Sequence, residues 1–209
     1  FISYAIDHPA DYRAINIEPS GTGIAFDVEH KGRVLGHVAL QIPGRHNVLD
    51  ALASIVTGIL CGLNVTQAAA GLRVFHGAKR RFETKARVKD VWIVDDYAHH
   101  PTEIKATLAA ARQTRPRRVV CVFQPHRYSR TKLLAEEFGA AFQEADVLIL
   151  TGIYAAGETP LPGVNGLMIL GAVEEASGQN AAYIEARENV APYLKTVVQP
   201  GDLVITMGA

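Results

Sequence analysis

A chain of 209 residues is long enough for one large domain or two modest ones, each with a real core. With 48% hydrophobic and 20% charged residues, it is not a disordered chain. Lysine plus arginine and aspartate plus glutamate number 21 each, so no global field draws the chain to nucleic acid or to a membrane surface, and any anion it binds must be held by a local cluster.

Phe1 to Tyr4 carry no basic stretch leading into an apolar core, so they do not read as a signal peptide but as a strand entered midway. Residues 1 to about 43 read as β-rich. Ala14 to Glu18 and Ile24 to Val28 alternate apolar with other residues, Ser20-Gly21-Thr22-Gly23 separates them, and Glu29 to Arg33 turns the chain into a run from Val34 to Ile42. A helix follows, with Val48, Leu52, Ile55, Ile59 and Leu63 recurring every three or four residues and Gly62-Leu63-Asn64 as its stop. A short helix begins at Thr66. The longest apolar stretch, Val56 to Leu63, is too short and too broken by glycine to span a bilayer. Cys61 and Cys121 each sit in an apolar run and read as buried, reduced thiols of a cytosolic protein.

Gly77 to Glu83 is charged and aperiodic, and we expect the domain boundary there, between residues 83 and 84. Beyond it strands and helices alternate. Strands are expected at Val91–Val94, Arg118–Phe123, Val147–Leu150, Ala181–Ile184 and Asp202–Thr206. Helices are expected at Pro101–Arg112, Ser129–Glu144, Leu167–Ala176 and near Glu188–Thr196. Pro101 takes its favoured first helical position. The alternation predicts an α/β domain with a mostly parallel sheet and helices on both faces.

In such a sheet ligands bind at the carboxyl ends of the strands. Three successive strand ends carry polar clusters: Asp95 to Pro101, Gln124 to Arg130, and Thr151 to Glu158. The first offers carboxylates and imidazoles able to hold a metal, a ribose or a substrate carboxylate. Within it, His100 reads as a helix cap, and Asp96 and His99 as functional. In the second, His126, Arg127 and Arg130 stand at a helix start. Guanidinium forks suit carboxylate and phosphate oxygens, and positive charge there calls for an anion nearby because it opposes the helix dipole. The third cluster reads equally as a site or as a turn. Gly44-Arg45-His46-Asn47 and Lys79-Arg80-Arg81 read, by themselves, as a helix cap and a basic linker.

Five motifs, in order and covering nearly the whole chain, resemble the Mur ligases, a resemblance that implies UDP-N-acetylmuramate and L-alanine as substrates. The motifs are Pro43 to Ala51, Lys79-Arg80-Arg81-Phe82-Glu83, Asp95 to Glu103, Phe123 to Thr131, and Tyr154 to Pro160. The resemblance implies residues 1–83 as the β-plus-helix tail of a P-loop-type ATPase domain and 84–209 as a Rossmann-like C-terminal domain that closes over the nucleotide. It implies ATP and Mg²⁺, with most metal ligands and the Gly-Lys-Thr phosphate loop upstream of Phe1. The chain by itself is therefore expected to be inactive. By the same resemblance, His46 and Asn47 border the adenine, Arg81 reaches the terminal phosphate and Asp96 binds the ribose. Tyr97, His99, His126, Arg127 and Arg130 face the muramate carboxylate, the incoming alanine or an acyl phosphate. Where loops of the family often carry glycine, this chain has Ala98. Two rivals stay open: a ligase attaching murein tripeptide to UDP-N-acetylmuramate, against which Gln124 to Tyr128 speaks, and a metal-dependent hydrolase built on Asp95, Asp96, His99 and His126.

Overall fold

A computed structural model describes residues 1–209 and divides them into two compact units, Phe1–Ala78 and Lys79–Ala209. Residues 79 to 83, placed before the boundary from sequence, sit in the second unit. Their aperiodic charge hides the reason, which is that Arg80 and Phe82 are tied to strand ends described below.

The first unit is a four-stranded sheet ordered β1 (Tyr4–Ala5), β2 (Tyr12–Ser20), β3 (Gly23–His30), β4 (Arg33–Leu40). β2, β3 and β4 form an antiparallel meander, and β1 joins β2 in parallel. The turn from β3 to β4 is two residues, Lys31 and Gly32, both at positive φ as the twist of a tight hairpin favours. Alternate residues Ile24, Phe26 and Val28 face a core that also takes Val38 and Leu40. Over that face lie α1 (Arg45–Leu60) and α2 (Val65–Arg73), α1 burying Val48, Leu52 and Ile55. α1 ends where the sequence placed its stop: Leu63 N–H bonds to Gly58 O at 2.9 Å and Gly62 N–H to Ile59 O at 3.0 Å, with Gly62 at φ 94°. That turn also leaves Cys61 exposed, against the expectation of burial, whereas Cys121 is fully buried.

The second unit is a six-stranded sheet. Its strands are β5 (Glu83–Val88), β6 (Val91–Asp96), β7 (Arg118–Phe123), β8 (Val147–Thr151), β9 (Ala181–Ile184) and β10 (Asp202–Met207), in the spatial order β5-β6-β10-β7-β8-β9. Every pair is parallel except β5 with β6. One face carries the larger core, where α3 (Pro101–Gln113), α5 (Ala135–Gly139) and α6 (Leu167–Ser177) bury Ile104, Leu108, Phe138 and Ile169. The other is covered by α7 (Val190–Val197). This is the mixed α/β sheet expected, with β5 an addition that apolar periodicity does not reveal. The helix expected over residues 129–144 is instead two short ones, α4 (Tyr128–Leu133) and α5, broken at Leu134 (φ −110°, ψ 17°). The break brings Phe138 and Phe142 against Phe123, with ring centroids 5.5 and 5.2 Å away. No helix is long and apolar enough to cross a membrane.

Candidate functional site

Strands β6, β10, β7 and β8 run in one direction, so their C-terminal ends share one edge of the second unit's sheet, and the loops leaving them carry most of the residues singled out above.

At the end of β6 the two aspartates part. Asp95 Oδ2 accepts Arg80 Nε–H at 3.1 Å, and Oδ1 accepts the Thr206 hydroxyl at 2.8 Å. Asp96 turns inward and is 4% exposed. Its Oδ2 accepts Phe82 N–H at 2.7 Å, while Oδ1 accepts Ala98 N–H at 2.8 Å and the Thr107 hydroxyl at 3.3 Å. Asp96 therefore holds the loop in shape. Ala98 is buried with φ outside the left-handed region, so this loop has no need of glycine there.

Tyr97, His99, His126 and Tyr154 form a file of rings. Centroids lie 5.2 Å apart from Tyr97 to His99, 5.8 Å from His99 to His126 and 5.8 Å from His126 to Tyr154. The guanidinium groups of Arg80 and Arg81 stand 5.0 and 5.6 Å from the centre of the Tyr97 ring, a favourable cation–π arrangement. Arg80 is pinned: it donates to Gly208 O at 2.5 Å as well as to Asp95, and its carbonyl accepts Tyr97 N–H at 2.7 Å. Arg81 is exposed and lies 3.8 Å from Glu103, leaving its charge available to an anion.

Glu103 sits in the first turn of α3. Its Oε2 accepts the backbone N–H of His99 at 3.0 Å and of His100 at 3.2 Å, and the His100 ring accepts Thr102 N–H, so His100 is a helix cap, as its place before Pro101 suggests. Burial pushes the Glu103 carboxyl up. The two amides and the nearby His99 and Arg81 outweigh that and hold it below the ordinary glutamate value.

The β7 and β8 loops are stitched by a parallel bridge between His126 and Tyr154, in which Arg127 N–H bonds to Tyr154 O and Tyr154 N–H to Pro125 O, each at 2.8 Å. Arg127 is exposed and sits at φ 72°, a conformation that costs energy for a side-chain-bearing residue. It is held there by that bridge and by Thr131, whose N–H and hydroxyl both bond to its carbonyl. The anion called for at the start of α4 is Glu158, whose carboxylate accepts the Ser129 N–H at 3.0 Å and its hydroxyl at 2.5 Å. Those two bonds hold Glu158 below the ordinary glutamate value. Arg130 Nη1 donates to His126 Nδ1 at 3.0 Å. Burial, then the charges of Arg130, His99 and Arg127, keep His126 below the ordinary histidine value, with Glu158 opposing.

Beside this shelf a cleft of about 220 Å³ opens between Arg80, Asp95, Gln124, Thr151 and Thr206. No group of three or more His, Cys, Asp or Glu side chains is placed to hold a metal. Asp95 is engaged by Arg80 and Thr206 and Asp96 is buried, which removes the donor set a metal hydrolase requires. In the first unit, Asn47 Nδ2–H donates to Pro43 O at 2.6 Å at the start of α1, and His46 is exposed in its first turn. Sequence reasoning passes over Arg80, Tyr154 and Glu158 as individual side chains. The signal for Glu158 is the unbalanced positive charge at α4.

Residues 80–209 match the family model described as Mur ligase, glutamate ligase domain. The UDP-N-acetylmuramate–L-alanine ligase of Symbiobacterium thermophilum is 52% identical over 204 residues, covering 97% of this chain and 42% of that protein. Its namesake from Pelotomaculum thermopropionicum is 46% identical over 209 residues, covering 100% of this chain and 45% of that protein. The chain thus spans about half the length of the curated relatives it matches. Among solved structures, the UDP-N-acetylmuramate–alanine ligase of Thermotoga maritima superposes with a TM-score of 0.81 at 27% identity, over 100% of this chain and 44% of that one. A murein peptide ligase of Psychrobacter arcticus gives 0.62 at 25% identity, over 98% and 42%. A sheet edge built from these motifs, together with this match over most of its length, places the chain in the Mur ligase family.

Proposed function

We propose that this chain is part of an ATP-dependent ligase of peptidoglycan precursor synthesis that joins L-alanine to UDP-N-acetylmuramate in the cytoplasm. In this reaction ATP phosphorylates the muramate carboxylate, and the alanine amine then displaces phosphate. The observation that carries the reading is the convergence of Tyr97, His99, His126 and Arg130 at the ends of the parallel strands β6 and β7, with Arg81 beside Tyr97. Phosphoryl and acyl transfer ask a protein mainly for positioning and charge neutralisation, and imidazoles and guanidiniums supply both. The names of the relatives support the choice of alanine and UDP-N-acetylmuramate.

In this reading Arg81 meets the terminal phosphate, and Arg127 and Arg130 meet carboxylate or acyl-phosphate oxygens. Tyr97, His99 and His126 line the reacting groups, and His46 and Asn47 border the adenine. Asp96, expected at the ribose, is assigned instead to holding the loop, because its oxygens are engaged inside the chain. ATP enters as a substrate. Mg²⁺ comes with it, and no residue here is assigned as its ligand. The first unit serves as the tail of the ATP-binding domain and the second as the C-terminal domain, with the boundary moved to residues 78 and 79.

The test is alanine-dependent phosphate release by the full-length protein containing this chain, supplied with ATP and UDP-N-acetylmuramate. Arg130→Ala should cost about 2–4 kcal/mol of transition-state stabilisation while leaving the fold intact, because an anion loses its charge-assisted partner. Release that ignores alanine but responds to murein tripeptide would overturn the substrate assignment.

A further inference from the structure

The two imidazoles at the centre of the ring file are not equivalent, and their hydrogen bonds say how. A guanidinium has donors only, so the 3.0 Å contact between Arg130 Nη1 and His126 Nδ1 requires that Nδ1 carry no proton. A carbonyl has acceptors only, so the 2.9 Å contact between His99 Nδ1 and Tyr97 O requires that Nδ1 carry one. We propose that His99 and His126 are held in opposite tautomers and divide the work of the ligation: His99 accepts a proton at Nε2 from the incoming α-ammonium, and His126 presents a permanent Nε2–H to a developing oxyanion. The catalytic half of this assignment rests on the ligase reading. The tautomers do not.

The surroundings suit each role. His126 is faced by Arg130 from α4 and Arg127 just before it, by His99 from the β6 loop, and by Tyr154 and Glu158 from the β8 loop. Protonating its Nδ1 would cost the Arg130 bond and add a charge beside two guanidiniums, which favours the neutral donor. His99 is faced by Tyr97, Glu103 and His126, with Arg81 beyond Glu103. Its Nδ1–H bond to the Tyr97 carbonyl survives whether or not Nε2 takes a proton, and Glu103 Oε2 lies 3.6 Å from Nδ1. Thus His99 can take up a proton without losing its hydrogen bond, and His126 cannot.

The step balances. The α-ammonium gives one proton to His99 Nε2, and the freed lone pair forms the C–N bond as the carbonyl π electrons move to oxygen, where the His126 Nε2–H receives them. Collapse breaks the C–O bond to phosphate, which leaves with that electron pair and takes up the second nitrogen proton. His99 then returns its proton to water.

Nitrogen-15 histidine NMR on the 209-residue chain tests the tautomers directly. Near neutral pH, His126 should show a bare Nδ1 and a protonated Nε2, and His99 a protonated Nδ1. Arg130→Met should abolish the preference of His126 alone. A protonated Nδ1 on His126, or a bare Nδ1 on His99, would overturn the assignment. In the full-length protein, His99→Gln should slow amide formation on the order of 10²–10⁴-fold and erase its acid limb, while acyl phosphate trapped by hydroxylamine without alanine persists. An unchanged pH profile in His99→Gln would overturn the role of His99. A wild-type protein that forms no acyl phosphate would overturn the ligase reading itself.

Discussion

Asp96 is a carboxylate spent on architecture. Its two oxygens fasten Phe82, Ala98 and Thr107, and the loop that carries Tyr97 and His99 depends on them. Replacing it with alanine leaves two amides unpartnered, at about 1–3 kcal/mol each, so urea denaturation of Asp96→Ala should show the second unit destabilised by about 2–6 kcal/mol. An unaltered midpoint would mean that water or another group satisfies those amides. Glu158 is the opposite case, an exposed-edge carboxylate that ties the β8 loop to α4 through Ser129. In Glu158→Gln the Ser129 amide should exchange faster and His126 should titrate lower still, since Glu158 is the one charge raising it. Both measurements are made by NMR on the chain itself. The residue types of the site were legible in the sequence, because imidazoles and arginines after strands have few other uses. The inward turn of Asp96 and outward turn of Tyr97 were not, since the strand expected from sequence ends at Val94 and so carries no alternation through them.

At the scale of elements, apolar periodicity was a sound guide wherever one face packs and the other meets water. It located α1, α3 and the parallel strands, whose register along β6, β10 and β7 aligns Val94, Ile205 and Cys121 in one core. It failed where tertiary contacts overrule local preference. Gly139 closes α5, and a Cβ there would come within 2.5 Å of the Ala172 carbonyl oxygen on α6. Gly139→Ala should therefore destabilise by about 1–3 kcal/mol despite alanine's better helix propensity. Gly171, inside α6, has open space for 4 Å around the point where a methyl group would stand, and should respond oppositely, Gly171→Ala gaining about 0.5–1 kcal/mol. Thermal melts of the two variants that moved in the same direction would refute this account of the α5–α6 contact. Strand β5 escaped notice because its exposed face is charged and its pairing partner, β6, supplies the order.

Across the whole molecule, acid should act in two stages. His126 has a folded value below its unfolded one, so the unfolded chain binds more protons and stability is lost as pH falls through about 6.5 toward the folded value. Glu103, Asp146 and Asp202 are also depressed, each against the push of burial, by hydrogen bonds and neighbouring cations. Their contribution is present above about pH 4 and fades as pH falls toward their folded values. Urea titrations at stepped pH should show both stages, and His126→Gln should remove only the first. The buried Asp202 carboxylate, which accepts from Arg118 at 2.7 and 3.0 Å, gives a further check at the opposite end of β10. Asp202→Ala strands the guanidinium and should cost about 3 kcal/mol. The sequence by itself determined the α/β class, the strand-end location of the chemistry and the family resemblance, because alternation, turn residues and short motifs are local properties of a chain. Only the tertiary structure decided which carboxylate faces the interior, which anion sits at α4 and which nitrogen of each imidazole holds its proton. Those depend on atoms brought within hydrogen-bonding distance from segments as far apart as Ser129 and Glu158 or Arg80 and Gly208, and no local pattern encodes a distance between them.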